Sequence, residues 1–393
     1  GDLINKLCPN GVEYKELNKV TNWDKRFNSV PSEKQKIVLK FKHVLASELK
    51  RMTTPTGNIK LLSTGVFDGY TDDNIAAGLI NDGEVVAIPS GGSANIKYYK
   101  GQFVDSGNIL CGSSNINYLN IKYFYYYLLE NKKKIENTYR GSGVKHPNMA
   151  EILDFSIPTP PLEVQEEIVR ILDLFTALIF ELKAELEARK KQYEYYRNKL
   201  LNFEGKNVEW KTLGEVCVSI TAGGDLPKKY SKNQDKPSIE FPYPIYANST
   251  DAKGLYGFTD NYTINSDAVT ISARGAKVGY HTVREPFFTP IIRLIVLIPN
   301  KSIIATKYLN YVLDITPISG TTGGIPQLIV PTVKKLLIPI PTLSEQQRIV
   351  EILDKFDTLV NDLSIGIPAE IEARQKQYEY YRGKLLSFKK LDK

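Results

Sequence analysis

The feature that most constrains this chain of 393 residues is a tandem duplication. The segment 187–203 returns as residues 372–388 with only three substitutions, and Ile-Pro-Thr-Pro at 157–160 returns as Ile-Pro-Ile-Pro at 338–341. The second copy carries a few extra residues between Ser364 and Pro368. Between these matched segments the two halves differ strongly. A repeat of this kind predicts one supersecondary frame built twice, in the order globular unit, helix, globular unit, helix.

The repeated segments have the pattern of long amphipathic helices. Pro158, Pro160 and Pro161 can precede a helix but cannot lie inside it. In the second copy, Ser344 followed by Gln347 has the spacing of a capping box, which predicts the helix start there. Apolar residues then recur at helical spacing, which predicts a first helix from about 162 to 203, roughly 60 Å long at 1.5 Å per residue.

A helix with one long apolar face needs a partner, and its own duplicate is the nearest candidate. We therefore expect the two helices to pair as an antiparallel coiled coil, with the second one broken near Gly366 and Pro368. The predicted fold class is α+β: two mixed α/β globular domains separated by two long helices, with pseudo-two-fold symmetry. The expected boundaries are 1–157 and 207–338 for the two globular domains, and 158–206 and 339–393 for the spacer helices.

Composition sets broad limits on the class of protein. The net charge is +7, and the positive excess lies in the two globular segments. That distribution fits a polyanionic partner, but it also fits simple scatter. No apolar run reaches the roughly 18 residues of a spanning helix, and residues 1–10 lack the pattern of a signal peptide. Cys8, Cys111 and Cys217 are isolated, which favours a reducing cytoplasm over a disulfide framework or a zinc site.

Each globular segment contains two glycine-rich loops. Short β-rich runs at 85–88 and 268–271 are followed by loops at 89–93 and 272–277, and helical stretches at 118–134 and 307–313 precede loops at 139–147 and 320–327. Glycine lets a backbone approach a ligand closely, although ordinary turns use it too. The candidate DNA-contacting residues on and near these loops are Ser90, Gly91, Gly92, Ser93, Lys97, Arg140, Lys145, Arg274, Gly275, Lys277, Thr321 and Thr322.

The duplicated helices carry a repeated aromatic and basic cluster. Aromatic residues at this spacing are more often packing or partner-contact residues than base-stacking ones, and the arginines also fit a solvated helix face. The candidate partner-binding residues are Tyr193, Tyr196, Arg197, Tyr378, Tyr381 and Arg382.

Sequence motifs for catalysis are missing. We find no P-loop, HExxH, paired CxxC or GxSxG motif, and His43, His146 and His281 have no ligand-like spacing. The sequence therefore predicts a protein that is not an enzyme, with no metal and no cofactor of its own.

The repeated frame resembles a known family. The pattern Ile-Pro-x-Pro, then Leu-x-x-Gln-x-x-Ile-Val-x-Ile-Leu-Asp, then Glu-Ala-Arg-x-Lys-Gln-Tyr-Glu-Tyr-Tyr-Arg is similar to that of the specificity subunit of type I restriction-modification systems, and it occurs twice. The resemblance implies that each variable domain reads one half of a bipartite site in double-stranded DNA. It also implies that the helices set the unread gap and dock two modification (methyltransferase) subunits.

The same resemblance implies further partners and a location. The modification subunits would use S-adenosylmethionine, restriction subunits would use ATP, and the assembly would act in the cytoplasm without a membrane. Two other hypotheses stay open on the residues alone. One is an adaptor whose globular units bind peptides or glycans, and the other is a fragment of a fused restriction–methylation enzyme whose catalytic part lies elsewhere.

Overall fold

A computed structural model of the chain describes residues 2–232, 234–248, 254–274, 278–318 and 327–391. The chain divides into two compact units. Unit 1 comprises residues 1–181 and 371–393, and unit 2 comprises residues 182–370. Each unit therefore contains one globular domain together with segments of both long helical regions.

The centre of unit 1 is a six-stranded mixed sheet. In spatial order its strands are Thr21–Trp23, Asn108–Ser113, Asn81–Pro89, Lys97–Ser106, Ile59–Ser63 and Asp68–Thr71. Two short pairs accompany it, Tyr14–Glu16 with Ser156–Pro158 and Tyr139–Arg140 with His146–Pro147. The helices are Asp2–Leu7, Leu17–Val20, Ala46–Arg51, Ile121–Glu130, Lys132–Glu136 and Met149–Asp154, with a 3₁₀ turn at Ser32–Lys34. The predicted strand at 85–88 is confirmed, and the predicted helix at 118–134 is split in two at Asn131.

Unit 2 repeats this plan with a divided sheet. One four-stranded sheet has the order Cys217–Ala222, Ile295–Pro299, Ala268–Ile271 and His281–Arg284. The other has the order Tyr230–Lys232, Leu255–Thr259, Tyr243–Tyr246 and Thr289–Pro290. Glu209–Thr212 pairs with Leu337–Ile340, as Tyr14–Glu16 pairs with Ser156–Pro158 in unit 1. The helices are Leu213–Val216, Thr306–Leu313 and Val330–Lys334, so the predicted strand at 268–271 and helix at 307–313 are both confirmed.

The long helices are Leu162–Leu201, Leu343–Asn361 and Ile367–Leu385. The predicted capping box at Ser344 is wrong by two residues. Thr342 is the N-cap instead, because its side chain accepts a hydrogen bond from the backbone amide of Glu345 at 3.3 Å. Ser344 is already helical and has no capping role.

The predicted break in the second helical region is confirmed. The Asp362 carboxylate accepts hydrogen bonds from the backbone amides of Ser364 and Ile365, which closes a tight turn. At Gly366 an added Cβ would lie 2.5 Å from the carbonyl oxygen of Thr358, so only glycine fits there. The extra residues of the second copy therefore form this turn rather than lengthening a helix.

A buried glutamine in each copy of the motif joins the helix to its globular domain. In unit 1, Gln165 donates to the carbonyl oxygens of Tyr118 and Pro160 and accepts from the amide of Asn120, all between 2.8 and 2.9 Å. In unit 2, Gln346 makes the same three bonds to residues 303, 341 and 305, at 2.9 Å each. Both glutamines are fully buried. The duplicated motif thus encodes the joint between each globular domain and its helix.

Aromatic stacking pairs the helical segments within each unit. In unit 1 the ring of Phe175 stacks on Tyr381 with centroids 5.5 Å apart. In unit 2 the equivalent Phe356 lies against both Tyr193 and Tyr196, at 6.2 and 5.5 Å. The helix partners that the sequence predicted are therefore in contact in each unit.

Electrostatic contacts give the direction of this pairing in unit 2. The pKa of Glu345 is lowered by its hydrogen bond with Arg348 and, further, by the charge of Lys206. Burial raises the pKa of Tyr193 to about 12, and the charge of Asp357 adds to that rise. Tyr193 on the first helix therefore lies near Asp357, and Lys206, just past the end of that helix at Leu201, lies near Glu345, so the two helices are antiparallel.

Candidate nucleic-acid interface

In unit 1 the two predicted glycine loops meet and form one surface. The backbone amide of Gly92 donates to the carbonyl oxygen of Lys145 at 2.8 Å. His146 Nδ1 lies 2.6 Å from the carbonyl oxygen of Ser90, and the Tyr139 hydroxyl donates to the carbonyl oxygen of Pro89 at 3.0 Å. The loop at 89–93 is thus fastened at three points to the hairpin at 139–147.

Close approach and backbone conformation each favour one glycine of the first loop. A Cβ on Gly91 would lie 2.9 Å from a methyl group of Val144 and 3.2 Å from the His146 ring. Gly92 has φ +91°, in the left-handed region that favours glycine. A larger residue at Gly91 would press on the Val144 and His146 side chains, whereas at Gly92 the backbone conformation alone favours glycine.

The polar side chains of this surface differ in their availability. Ser93 and Lys145 are exposed. The Arg140 side chain is also exposed, but its guanidinium bonds to the Asn137 carbonyl oxygen and lies 3.3 Å from the Glu151 carboxylate. The charge of Arg140 is therefore partly balanced within the unit, whereas Lys145 presents its ammonium group to solvent.

Lys97 lies apart from this surface. Its ammonium group donates to the carbonyl oxygen and the hydroxyl of Ser63, at 2.6 and 3.2 Å, and burial lowers its pKa. It is the first residue of the strand Lys97–Ser106 rather than part of either loop. The fold already uses this cation, and a DNA contact by Lys97 stays a prediction that its present geometry does not favour.

Unit 2 joins its own loop segments at equivalent positions. The backbone amide of Leu328 donates to the carbonyl oxygen of Ala273 at 2.9 Å, and Arg274 forms a β-bridge with Gln327. The exposed guanidinium of Arg274 also donates to the Gln327 side chain at 3.2 Å. The other predicted contacts in unit 2 lie outside the described residues, namely Gly275, Lys277, Thr321 and Thr322.

The predicted partner-binding tyrosines are mostly half-buried. Tyr378 is only 6% exposed and packs in the core of unit 1, while Tyr193 and Tyr196 hold Phe356 as described above. Tyr196 and Tyr381 keep 36% and 40% of their surface exposed. Tyr378 therefore has a packing role within its unit, and partner contact by this set stays a prediction.

The two predicted helix arginines face acidic groups of their own units. Arg382 donates to Glu130 at 2.8 Å and lies over the Tyr378 ring at 5.1 Å. Its twin Arg197 lies 5.7 Å from the centroid of Tyr193. The charge of Arg197 also opposes the rise that burial causes in the pKa of Asp314. Arg382 thus fastens its helix to the globular domain of unit 1, whereas Arg197 acts on Asp314 through its charge and its buried Nε has no hydrogen-bond partner among the described residues.

Sequence reasoning missed the exposed members of the same helices. Tyr195 and Tyr380 are 59% and 62% exposed, and on the first helix Leu174 and Phe180 are 60% and 73% exposed. Helical periodicity could have found the tyrosines, because each lies one position off the apolar stripe of its repeat. Exposed large apolar side chains of this kind are typical of contact surfaces.

The described part of the chain contains neither a candidate metal-ion cluster nor a candidate membrane-spanning helix. Among those residues, no cluster of three or more His, Cys, Asp or Glu side chains is placed to hold a metal ion. No helix there has the length and apolar character needed to cross a membrane.

Comparison with known proteins gives the family. The model of the type I restriction modification DNA specificity domain matches residues 33–189 and again residues 205–373. The chain is 38% identical to the Escherichia coli EcoR124I/EcoR124II type I restriction enzyme specificity subunit over 69% of this chain and 71% of that protein. It is 33% identical to a chain named as a type I specificity subunit of Mycoplasma pneumoniae, covering 78% of this chain and 94% of the other.

Solved structures share the fold. The type I restriction-modification S subunit of Mycoplasma genitalium matches with a TM-score of 0.63 at 17% identity, covering 96% of both chains. A chain from a study of assembly and conformational transition of a type I restriction-modification system matches with a TM-score of 0.53, covering 96% of this chain and 98% of that one. These matches confirm the predicted α+β class with two globular domains and long helices.

The chain belongs to the family of type I restriction-modification DNA specificity subunits. The family resemblance stated from the repeated motif is confirmed. The prediction of a DNA-recognition subunit rather than an enzyme is confirmed by this membership.

Proposed function

We propose that this specificity subunit reads a bipartite DNA target, with one half-site for each globular domain. The single observation that carries the proposal is that both units join two loops in the same way but carry different side chains on those loops. Each unit fastens a loop that follows a central strand to a second loop that follows a helix, yet the side chains on the loops differ. Contacts with the DNA phosphates position a protein on the duplex, and contacts between side chains and base edges specify the base pairs.

The proposed reader domains are residues 1–157 and 207–338, and the spacer segments are 158–206 and 339–393. In this proposal the spacer helices keep two readers at a set separation, so the half-sites have a constant unread gap. Phosphate contacts by exposed cations such as Lys145 and Arg274 supply salt-dependent affinity.

The helices are proposed to dock two modification subunits. Support comes from the exposed apolar side chains of the helices, Leu174 and Phe180 on one and Tyr380 on the other, together with Tyr195. Tyr195 and Tyr380 occupy equivalent positions in the two copies, whereas Leu174 and Phe180 correspond to Lys355 and Asn361, so the tyrosines are the part of the docking surface that the two copies share. The chain itself would hold no cofactor, because the methyl donor S-adenosylmethionine and the ATP of the restriction subunits would bind to those partners. We expect this assembly to act in the cytoplasm, where free cysteines such as Cys111 stay reduced.

Methylation-site mapping tests the proposal. Cells that carry this chain and its cognate modification subunit should methylate a bipartite motif with a constant gap. Replacing residues 11–157 with those of a relative should change one half of the motif, and replacing residues 207–338 should change the other. A motif without a gap, or a swap that alters both halves, would contradict the proposal.

A salt titration of DNA binding separates this function from that of a protein adaptor. The assembled complex should lose DNA affinity steeply as salt rises, because binding releases counterions from the phosphates. An adaptor for peptides or glycans would show no such dependence.

A further inference from the structure

We infer that Arg293 of unit 2 is a base-reading residue, presented on a strained turn, and that it contacts a guanine edge in the major groove. This inference rests on the proposed function. It assigns a reading role to a residue that lies outside both glycine loops.

The turn at 292–293 has an unusual backbone. Ile292 and Arg293 have φ of +52° and +60°, in the left-handed region that β-branched and long side chains rarely adopt. Both side chains are exposed, so core packing does not require either of them. Strain of this kind persists where the surrounding structure over-determines it, and it concentrates at functional sites.

Backbone contacts from a glycine pair hold one side of the turn. The amides of Ile292 and Arg293 donate to the carbonyl oxygens of Gly224 and Gly223, at 2.9 and 3.0 Å. A Cβ on Gly223 would lie 2.7 Å from the carbonyl carbon of Pro290, so this position admits only glycine. The turn is therefore fixed in place despite its strain.

Asn248 ties the other side of the turn to the Arg274 segment. Its side-chain amide donates to the carbonyl oxygen of Ile292, and its side-chain oxygen accepts from the backbone amide of Ala273 at 2.9 Å. Ala273 directly precedes Arg274, so both arginines extend from one junction. Arg274 is held by Gln327 at 3.2 Å. Within the part of the chain that the structure describes, the Arg293 guanidinium makes no hydrogen bond or ion pair.

The equivalent junction in unit 1 is simpler, because its turn contains a glycine where unit 2 has larger side chains. There the amide of Ser90, which corresponds to Ala273, donates directly to the carbonyl oxygen of Gly107 at 3.2 Å. Gly107 has φ +75°, which glycine adopts without strain. The same turn in unit 2 carries an isoleucine and an arginine in its place. Glycine would adopt this backbone conformation without strain, so the presence of an arginine there indicates that the arginine side chain has a role of its own.

The hydrogen-bond donors of the Arg293 guanidinium indicate which base it would contact. A planar fork of donors on a rigid junction matches the O6 and N7 acceptors of guanine, which is the commonest specific arginine contact in the major groove. The same fork can bind a phosphate, but a phosphate contact carries no base information, so loss of discrimination at one base pair distinguishes the two.

The test uses the full chain assembled with its modification subunits and a set of duplexes that vary each base pair of the mapped target. Arg293→Gly removes the side chain and fits the left-handed backbone, so folding is preserved. We expect it to lower discrimination at one position of the unit 2 half-site by about ten- to a hundredfold. Arg293→Lys restores the charge but not the fork, and we expect it to leave that discrimination lost.

Lys335→Ala is the matched control, because it removes one exposed positive charge elsewhere in unit 2. A uniform loss of affinity in Arg293→Gly that Arg293→Lys restores would indicate a phosphate contact and overturn the inference. Unchanged binding by Arg293→Gly would overturn it as well. In both cases the unaltered complex would still recognise its bipartite target, so the proposed function would stand. Failure of the unaltered complex to recognise such a target would remove the proposed function and this inference together.

Discussion

His43 shows how a single residue can hold the interior of unit 1. Its ring nitrogens lie 2.8 Å from Asp105 and 3.0 Å from Asp24, and both carboxylate side chains are fully buried. Hydrogen bonding to Asp105, and then to Asp24, raises the pKa of His43 to about 9 despite the opposing effect of burial. The imidazolium is therefore the shared cation of two buried acids at neutral pH.

This arrangement predicts a pH-dependent stability. The folded-state pKa lies above the ordinary value of 6.5, so the contribution is complete below pH 6.5 and is lost as pH rises through about 9. After allowance for partial solvent screening, we expect a loss of about 2 kcal/mol across that window. His43→Gln cannot titrate and leaves the carboxylates without their cation, which should cost about 3 kcal/mol at pH 7. Denaturant unfolding at several pH values measures both, and parallel profiles for the two proteins would contradict the prediction.

At the residue scale, the sequence indicates which side chains could contact a ligand or partner, but it does not indicate which way those side chains point. The isolated His43 gave no signal, because both of its partners are distant in the chain. Lys97 was predicted as a DNA contact from its nearness to a glycine loop, but its strand directs the ammonium group to Ser63. Tyr378 and Tyr380 are two residues apart, yet one is 6% and the other 62% exposed. Which face a side chain takes depends on tertiary packing that composition does not carry.

At the scale of elements, periodicity predicted the long helices well. The first helix ends at Leu201, two residues before its predicted end, and the break before Pro368 follows from backbone chemistry that sequence makes visible. The start of the second helix was misplaced because Thr342 and Ser344 are both capable caps, and only the backbone conformation decides between them. The meeting of the two glycine loops could not be predicted, since the sheet that brings them together forms from non-local pairings.

The aromatic stack of unit 2 gives a prediction at this scale. Phe356→Ala removes a half-buried ring that contacts both Tyr193 and Tyr196, and should lower the free energy of unfolding by about 2 kcal/mol. Phe180→Ala is the control, because Phe180 is 73% exposed and its loss should change stability by no more than about 0.5 kcal/mol. Thermal unfolding of the two variants decides the matter. Equal shifts would show that the stack does not stabilise the helix pair.

At the scale of the whole molecule, the duplication preserves the contacts between each globular domain and its helix, while the globular domains themselves differ. The buried glutamines Gln165 and Gln346, and the aspartates Asp173 and Asp354 that bond to Tyr126 and Tyr311, recur at matching positions in the two units. The apolar cores are built separately, one from residues of unit 1 and one from residues of unit 2. The surface of a globular domain can therefore change without loss of the joint that holds the domain to the helices.

The turn at 362–365 is the place where this independence can be tested. Deleting these four residues removes the feature by which the second copy of the frame exceeds the first. If the helices set the unread gap, the deletion should change that gap, because it alters the connection between the helices Leu343–Asn361 and Ile367–Leu385. The bases in each half-site should stay the same, because each reader keeps its own core.

Methylation-site mapping of the deletion variant measures the gap length and the bases of each half-site in one experiment. The combined substitution Ser364→Ala and Ile365→Ala is the control, since both residues are exposed and the chain length is kept, and it should leave the gap unchanged. A deletion that alters the half-site bases at constant gap would mean that the turn belongs to a reader. A shortened or lengthened gap with intact half-sites would mean that spacing and reading are encoded in different parts of the chain, which is the division that a duplicated frame with varied interiors makes possible.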